Sequence, residues 1–311
     1  MQQGLQWISL SLPWLAIFAI VLIPGFAIHG VGGFLPWLGR RLAAKVNRAN
    51  NGPHQQRIAG LLAALVLIIP CCLGLALFNS INPLSSPFDA LLLVLLLNWQ
   101  GPMNSFQLTA LQLEQHQQAR IALKPWLLRE CQSLTSVGVA KAGIEMLLLR
   151  LAAQWFAPVF WYALAGIEMC VLYVMVYQLH LSWNPKQSEY RQFGAALSRG
   201  YKLLSWLPFK LLALVLASQG DFRSNLQAVK QGFRWPFSGS GSLLSVTANN
   251  LKLELGGPRH YQGQRIEQAY FGPTKCYPSV PQMQNLITQL RLASLLFSLI
   301  IVPVYLLRHA L

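Results

Sequence analysis

The 311-residue chain is 54% hydrophobic and only 11% charged, with a mean hydropathy of +0.42. Soluble domains carry about 25% charged residues, so the composition excludes a soluble fold and indicates an all-α integral membrane protein, read as a single domain over residues 1–311. Twenty-four Lys and Arg against nine Asp and Glu give a net charge of +15, which in a membrane protein reads as cytoplasmic loops facing anionic headgroups rather than as a nucleic-acid footprint.

In chain order, residues 8–28 are apolar enough to span a core about 30 Å thick, with Pro13 and Pro24–Gly25 as expected kinks. With no basic n-region and no small-residue cleavage site, this stretch is expected to be a retained helix, not a removed signal. Arg40, Arg41, Lys45, Arg48 and Arg57 follow closely, so this loop is placed in the cytoplasm and the N-terminus outside. Residues 59–79 form a second span. Asn82-Pro83 and Ser86-Pro87 mark an outside turn. Residues 88–99 return as part of a longer helix running toward Gly101-Pro102. The Gln-rich stretch 104–130 reads as a cytoplasmic helix or helix pair broken near Pro125.

The stretch from Arg129 to Gly166 carries Glu145, Arg150 and Pro158 inside a long apolar run. Charges and proline are costly at membrane depth, so they pair, line a cavity or break the helix. The five-residue separation of Glu145 and Arg150 is not the spacing of a helical pair, so each is expected to have another partner. A single crossing over 143–179 would put Lys186, Arg191, Arg199 and Lys202 outside, against the charge bias. A break near Ala165-Gly166 removes that conflict, with two short halves dipping in and returning.

Residues 203–218, holding Pro208 and Lys210, read as a second re-entrant or interfacial segment, too short to span. Seven Lys and Arg between Arg223 and Lys275 place the main polar region in the cytoplasm. Residues 286–307 make the last span. The expectation is thus about four spans, short re-entrant helices, and polar segments at about 100–143 and 219–284.

Little of this carries chemistry by motif alone. The cysteines form no C-x-x-C pair and the histidines show no metal-ligand spacing, so no metal site is assigned. His180, ending an apolar run, reads as an interfacial residue. No GxxxxGK[ST] loop is present. Ser238 to Ser242, a glycine-serine run, is expected to be a flexible turn rather than a phosphate cradle. Gly256 to Gly263 is a tight basic loop in which Arg259 could hold an anion.

Taken together, several stretches resemble the CobD/CbiB family of membrane proteins. Leu35-Pro36-Trp37-Leu38-Gly39 follows the first span. Arg129-Glu130 and Ile144-Glu145 keep the spacing of the family's S-R-D-T and I-E. Ala157-Pro158-Val159-Phe160-Trp161 resembles A-P-L-F-W, and Glu189-Tyr190-Arg191-Gln192-Phe193-Gly194 resembles R-Y-x-x-F-G. Leu207-Pro208-Phe209-Lys210-Leu211 resembles I-P-A-R-L, and Leu255 to Gly263 resembles L-G-G-P-x-x-Y-x-G. The departures are chemical. The family's A-E-N-L-S-D-G stands here as Leu148 to Gln154, its N-T-L-D-S as Tyr177 to Leu181, and its D-D pair as Tyr201-Lys202.

The resemblance implies an adenosylcobinamide-phosphate synthase-like protein of the bacterial inner membrane. Such a protein attaches an aminopropanol donor to a corrinoid carboxylate such as that of adenosylcobyric acid, with Mg²⁺ and ATP as the cofactors the family suggests. Its candidate catalytic residues are Arg129, Glu130 and Glu145, and its candidate substrate contacts are Arg259, Tyr261, Gly256, Gly257 and Lys210. Loss of most acids also fits a non-catalytic, AmpE-type signalling protein. A corrinoid-binding partner of another pathway enzyme is the third reading.

Overall fold

The structure is a computed structural model and describes residues 2–23, 33–48, 50–82, 85–132 and 134–310. In chain order the helices are α1 (Gln2–Leu22), α2 (Phe34–Val46), α3 (Pro53–Ile81), α4 (Ser85–Leu96), α5 (Gln100–Leu111), α6 (His116–Leu123), α7 (Ser136–Leu151), α8 (Ala157–Ala165), α9 (Ile167–Ser182), α10 (Ala195–Ala217), α11 (Phe222–Gln231) and α12 (Ser238–Leu251). Four short strands follow, β1 (Leu255–Gly256), β2 (Arg259–Tyr261), β3 (Gln264–Ile266) and β4 (Tyr270–Phe271), before α13 (Val280–Ala310). The protein is an all-α membrane protein with almost no sheet. Among the described residues, α3, α10 and α13 through Arg308 are long and apolar enough to cross a membrane. The expected first span runs beyond α1, and its Pro24–Gly25 kink lies outside the described residues, as does Pro83 of the expected turn.

The chain divides into two compact units, residues 1–100 with 157–204 and residues 101–156 with 205–311. In the first, α9 is the hub against which α2, α3, α4 and α8 pack, and Tyr173 and Leu179 on it are fully buried. Polar contacts fix its two ends. Asn79 Nδ2 donates to Glu168 Oε1 at 2.8 Å, and Trp183 Nε1 donates to the Gly39 carbonyl at 3.0 Å. The His180 ring, placed at an interface by the sequence reading, stacks on Tyr201 at 4.5 Å. The break expected at Ala165-Gly166 is present. Gly166, at φ 87°, separates α8 from α9; α8 ends a helical run that is continuous from Ser136, whereas the sixteen residues of α9 fall short of the roughly 20 a crossing needs.

The second unit is built on α7, buried along most of its length from Val139 to Leu151. Thr135 caps it through the Gly138 N–H. A π-helical turn, Ala152–Phe156, follows. Pro158 lacks an N–H and its ring crowds the carbonyl of Gln154, which accounts for the loosened winding just ahead of it. Trp155 and Phe156 meet edge-on at 4.7 Å, and Phe156 meets Phe297 of α13 at 5.2 Å. The stretch whose acids are missing relative to the resembled family, Leu148 to Gln154, is mostly buried and apolar, with Arg150 and Gln154 its two polar side chains.

Three expectations are corrected. Residues 203–218 are the later part of α10, which runs 23 residues because the helix already begins in the polar stretch at Ala195; Pro208 is carried inside it rather than ending it. Residues 88–99 do not continue into Gly101-Pro102, because α4 stops at Leu96 and α5 restarts at Gln100. Ser238 to Ser242 is no flexible turn. It is the first part of α12, where buried Gly239 and Gly241 allow close packing and Ser242 donates to the Val229 carbonyl at 2.8 Å.

Candidate functional site

Glu145 sits midway along α7, buried, with two guanidiniums on one carboxylate oxygen. Arg259 Nη2, from β2, donates to Glu145 Oε2 at 2.9 Å. Arg129 Nη2, from the segment before α7, lies 3.1 Å from the same oxygen but out of line for a hydrogen bond. The other oxygen, Oε1, accepts the Gly256 N–H at 2.8 Å. That amide is aimed by its backbone: Gly256 has φ 81°, and a Cβ there would lie 2.3 Å from the Ala269 carbonyl oxygen. The strand pairing β1–β4 and the hairpin β2–β3 hold Gly256 and Arg259 in register.

Further contacts tie the same loop to α7. The Arg259 guanidinium stacks over the Trp235 ring at 4.8 Å. Glu130 accepts the Gly263 N–H at 2.6 Å and donates its own backbone N–H to the His260 carbonyl at 3.0 Å. One turn before Glu145, Lys141 Nζ pairs with Glu254 Oε1 at 2.6 Å and lies near the Tyr270 and Tyr277 rings.

The electrostatics follow from the count. Burial alone would raise the Glu145 carboxyl pKa, but Arg259, Arg129 and the Gly256 N–H outweigh it and hold the carboxyl below the usual carboxylate range. Glu145 is therefore an ionised anchor with its lone pairs engaged. Lys141 and Glu254 cancel each other. Arg129 and Arg259 together exceed Glu145 by one positive charge, and Nε of Arg129 and Nε of Arg259 are buried without a hydrogen-bond partner among the described residues. Unsatisfied buried N–H groups on a surplus cation are what an anionic group would complete.

The sequence candidates sort clearly. Glu145, Arg129, Arg259, Gly256 and Tyr261 come together, and Tyr261 is a hydrogen-bond neighbour of Arg259. Glu130 is exposed and works as a clamp on the loop. Gly257, at φ 87°, donates to the Ala269 carbonyl and shapes the turn. Lys210 is placed elsewhere, donating to Ser242 Oγ at 2.6 Å and lying 4.3 Å from the Phe233 ring. Arg150 does not pair with Glu145; its Nη2 donates to the Trp126 carbonyl at 2.6 Å. Sequence reading missed Lys141, Glu254 and Trp235. An alternation of Lys141 and Glu145 one turn apart on α7 was the available signal for the first.

Among the described residues no group of three or more His, Cys, Asp or Glu could hold a metal ion. Both buried acids here are already engaged, Glu145 by the two arginines and the Gly256 N–H and Glu254 by Lys141 and the Lys275 N–H, so these residues do not fit Mg²⁺, and no step is assigned to a metal here.

An all-α membrane fold with two arginines gathered on one buried glutamate defines the class. A family model described as CobD/Cbib protein matches residues 19–290. The chain belongs to the CobD/CbiB family. It is similar to the cobalamin biosynthesis protein CobD of Chromobacterium violaceum, 29% identical over 53% of this chain and 54% of that protein. The CobD of Stutzerimonas stutzeri is 31% identical over 44% of this chain and 45% of that one. A probable CobD of Methanothermobacter thermautotrophicus is 25% identical over 81% and 86%. The chain thus spans about half the length of the first two relatives. No solved structure matches it.

Proposed function

We propose that this chain acts in cobalamin biosynthesis, joining an aminopropanol donor to a corrinoid carboxylate through an amide, with the Glu145 cluster holding an anionic group of one substrate. The carrying observation is the uncompensated charge: two buried arginines on a single carboxylate, with Nε of each unpaired. The phosphate of a phosphorylated aminopropanol and the carboxylate of the corrinoid are both anions such a site would hold. In this reading Arg129 and Arg259 contact substrate. Glu145 positions them and, being held ionised, is not a general acid. Glu130 fixes the loop that carries Arg259. Amide formation needs an unprotonated amine and a carboxylate first activated by phosphoryl transfer from a nucleoside triphosphate such as the ATP the family resemblance implies, so that the amine attacks the acyl carbon, the oxygen leaves with the phosphate and the amine gives up a proton; a clamp on a substrate anion supplies the alignment of the two.

The test is complementation. A strain lacking its synthase, carrying this chain, is expected to grow on cobyric acid without added cobinamide. No growth despite good membrane expression would sink the enzymatic reading.

We also propose that the protein lies in the inner membrane with residues 219–284 on the cytoplasmic side, supported by the seven basic residues from Arg223 to Lys275. A reporter fused after Tyr277 is expected to give a cytoplasmic signal; an external signal would reverse the orientation.

A further inference from the structure

In the first unit, α2 leads into α3, one of the helices apolar enough to cross a membrane, and the two sides of α2 differ. Gly39 and Ala43, one turn apart, are buried, and the helix packs on α9. A Cβ at Gly39 would lie 2.9 Å from Leu179 Cδ2. The opposite side is exposed, with aromatic rings at one end and cations at the other. In the first turn Phe34 and Trp37 are 61% and 46% exposed, and their rings stack at 6.0 Å. Arg40, Arg41 and Lys45 follow, then Arg48 and Arg57 at the entry to α3, all of them exposed. Rings this open to solvent are unusual on a helix whose other side is already packed.

The charge is not balanced within the protein. Among the described residues none of these five cations forms an ion pair with a carboxylate. The chain has no acidic residue before Asp89. Glu189 is held nearby, its carbonyl accepting from Asn47 Nδ2 at 2.8 Å, but its carboxylate is hydrogen-bonded to Tyr190. Arg41 and Lys45 stand four residues apart, where like charges destabilise a helix. The helix dipole accounts for Lys45 in the last turn but not for Arg40 and Arg41. Arg41 is steadied instead by its stack over the Trp37 ring at 5.2 Å. The level of this surface follows from α3. Its exposed apolar side chains begin at Ile58, directly after Arg57, so Arg57 stands at headgroup height, and Gln56 Nε2, donating to the Arg48 carbonyl at 3.2 Å, ties Arg48 to the same level.

We infer that the outer side of α2 and the start of α3 bind the headgroups of anionic phospholipids, with Phe34 and Trp37 seated at the acyl boundary and Arg40, Arg41, Lys45 and Arg48 on the lipid phosphates. Rings at the boundary with cations beside them is the pattern a charged bilayer surface selects. A soluble anion would use the cations and leave the ring pair in water; a lipid covers both. The contact reaches the hub of the unit, because the Gly39 carbonyl on the inner side of α2 accepts Trp183 Nε1 from the end of α9. It is independent of any corrinoid chemistry.

The test titrates the full-length protein in dodecyl maltoside with phosphatidylglycerol or with phosphatidylcholine and counts bound lipid by native mass spectrometry. Wild type is expected to bind phosphatidylglycerol about 10-fold more tightly, with the preference shrinking as ammonium acetate is raised. Arg41→Gln and Lys45→Gln are each expected to weaken phosphatidylglycerol binding about 5-fold, the worth of one basic residue beside an anionic surface. Both are expected to leave phosphatidylcholine binding unchanged, and to leave Tm in phosphatidylcholine nanodiscs unchanged or slightly raised, since a like-charge pair is relieved. Phe34→Ser together with Trp37→Ser is expected to weaken both lipids. Equal binding of the two lipids by wild type overturns the inference, as does phosphatidylglycerol binding unchanged in both charge variants or in the ring variant. An equal loss from Arg223→Gln or Lys230→Gln, on α11, assigns the preference to net charge and overturns it too. A lowered Tm in phosphatidylcholine nanodiscs, with both lipids weakened equally by the charge variants, marks the cations of α2 as structural and has the same consequence.

Discussion

Glu145→Gln is expected to cost about 3–5 kcal/mol of folding stability and to abolish any amide-forming activity. The substitution is nearly isosteric, so the loss is electrostatic. Arg129 and Arg259 are 10% and 11% exposed at their side chains, and Glu145 is the counter-charge that the structure gives both. Without it two guanidiniums remain in a low-dielectric site, and the Gly256 N–H loses a charged acceptor. Thermal unfolding in detergent reads the effect. Adding Arg129→Met to the variant is expected to restore part of the lost Tm, because it removes one stranded charge. A simple loss of packing would not be rescued that way.

The same carboxylate sets an acid limit. Its pKa in the folded protein is lowered by the arginines and the Gly256 N–H despite burial. Its stabilising contribution is therefore fully present above the ordinary carboxylate value of 4.5 and is lost as the pH falls through the lower folded value. Glu145→Gln is expected to lack that share of the acid loss.

Much of the architecture was legible in composition because membrane solubility constrains sequence harshly. Long apolar runs at 59–79 and 286–307 are what a bilayer demands, and α3 and α13 contain them. The break at Gly166 was legible for a different reason: a second physical rule, the charge bias of loops, conflicted with an unbroken helix. What escaped was decided by neighbours. Residues 203–218 look too short alone, yet α10 extends through the polar turn at Ala195 to Gly200. The glycine-serine run at 238–242 has turn-like composition, but it is buried against the chain around Gly232 and is helical there. Propensity is a weak prior where packing needs a small side chain.

The site was legible in part on similar grounds. A carboxylate inside an apolar run must have a partner, which singled out Glu145. A glycine-bounded basic loop suggested Arg259. That the two meet is a fact of long-range packing, with the residues 114 positions apart, and spacing along the chain carries no trace of it. Lys210 shows the converse. A lysine in an apolar run also needs a partner, but here Ser242 and Phe233 supply it, so the same argument led to a structural contact. Motif resemblance placed both residues in one group; only geometry separates them.

Arg259→Met is expected to lower kcat/KM about 10- to 100-fold with a phosphorylated aminopropanol donor, the worth of one charged hydrogen bond, while costing less stability than Glu145→Gln. The asymmetry comes from what each change leaves behind. Losing Arg259 leaves Glu145 with Arg129 and the Gly256 N–H, a neutral cluster. Losing Glu145 leaves two cations. A neutral cluster has no surplus charge for a substrate anion, so binding suffers more than folding. Arg259→Lys is the sharper control. It restores the charge, but a compact ammonium cannot both reach Glu145 and stack its plane on Trp235, as the guanidinium does at 4.8 Å. Lysine is therefore expected to recover only part of the lost rate. The donor's phosphate provides the discriminating comparison. If the arginines hold that phosphate, the penalty of Arg259→Met shrinks toward unity with unphosphorylated aminopropanol, because the wild type has already lost the same contact. If they hold the corrinoid carboxylate, the penalty is equal for both donors. A full rate in Arg259→Met with either donor would remove the cluster from substrate binding and leave it as a clamp between α7 and the loop from Gly256 to Gly263.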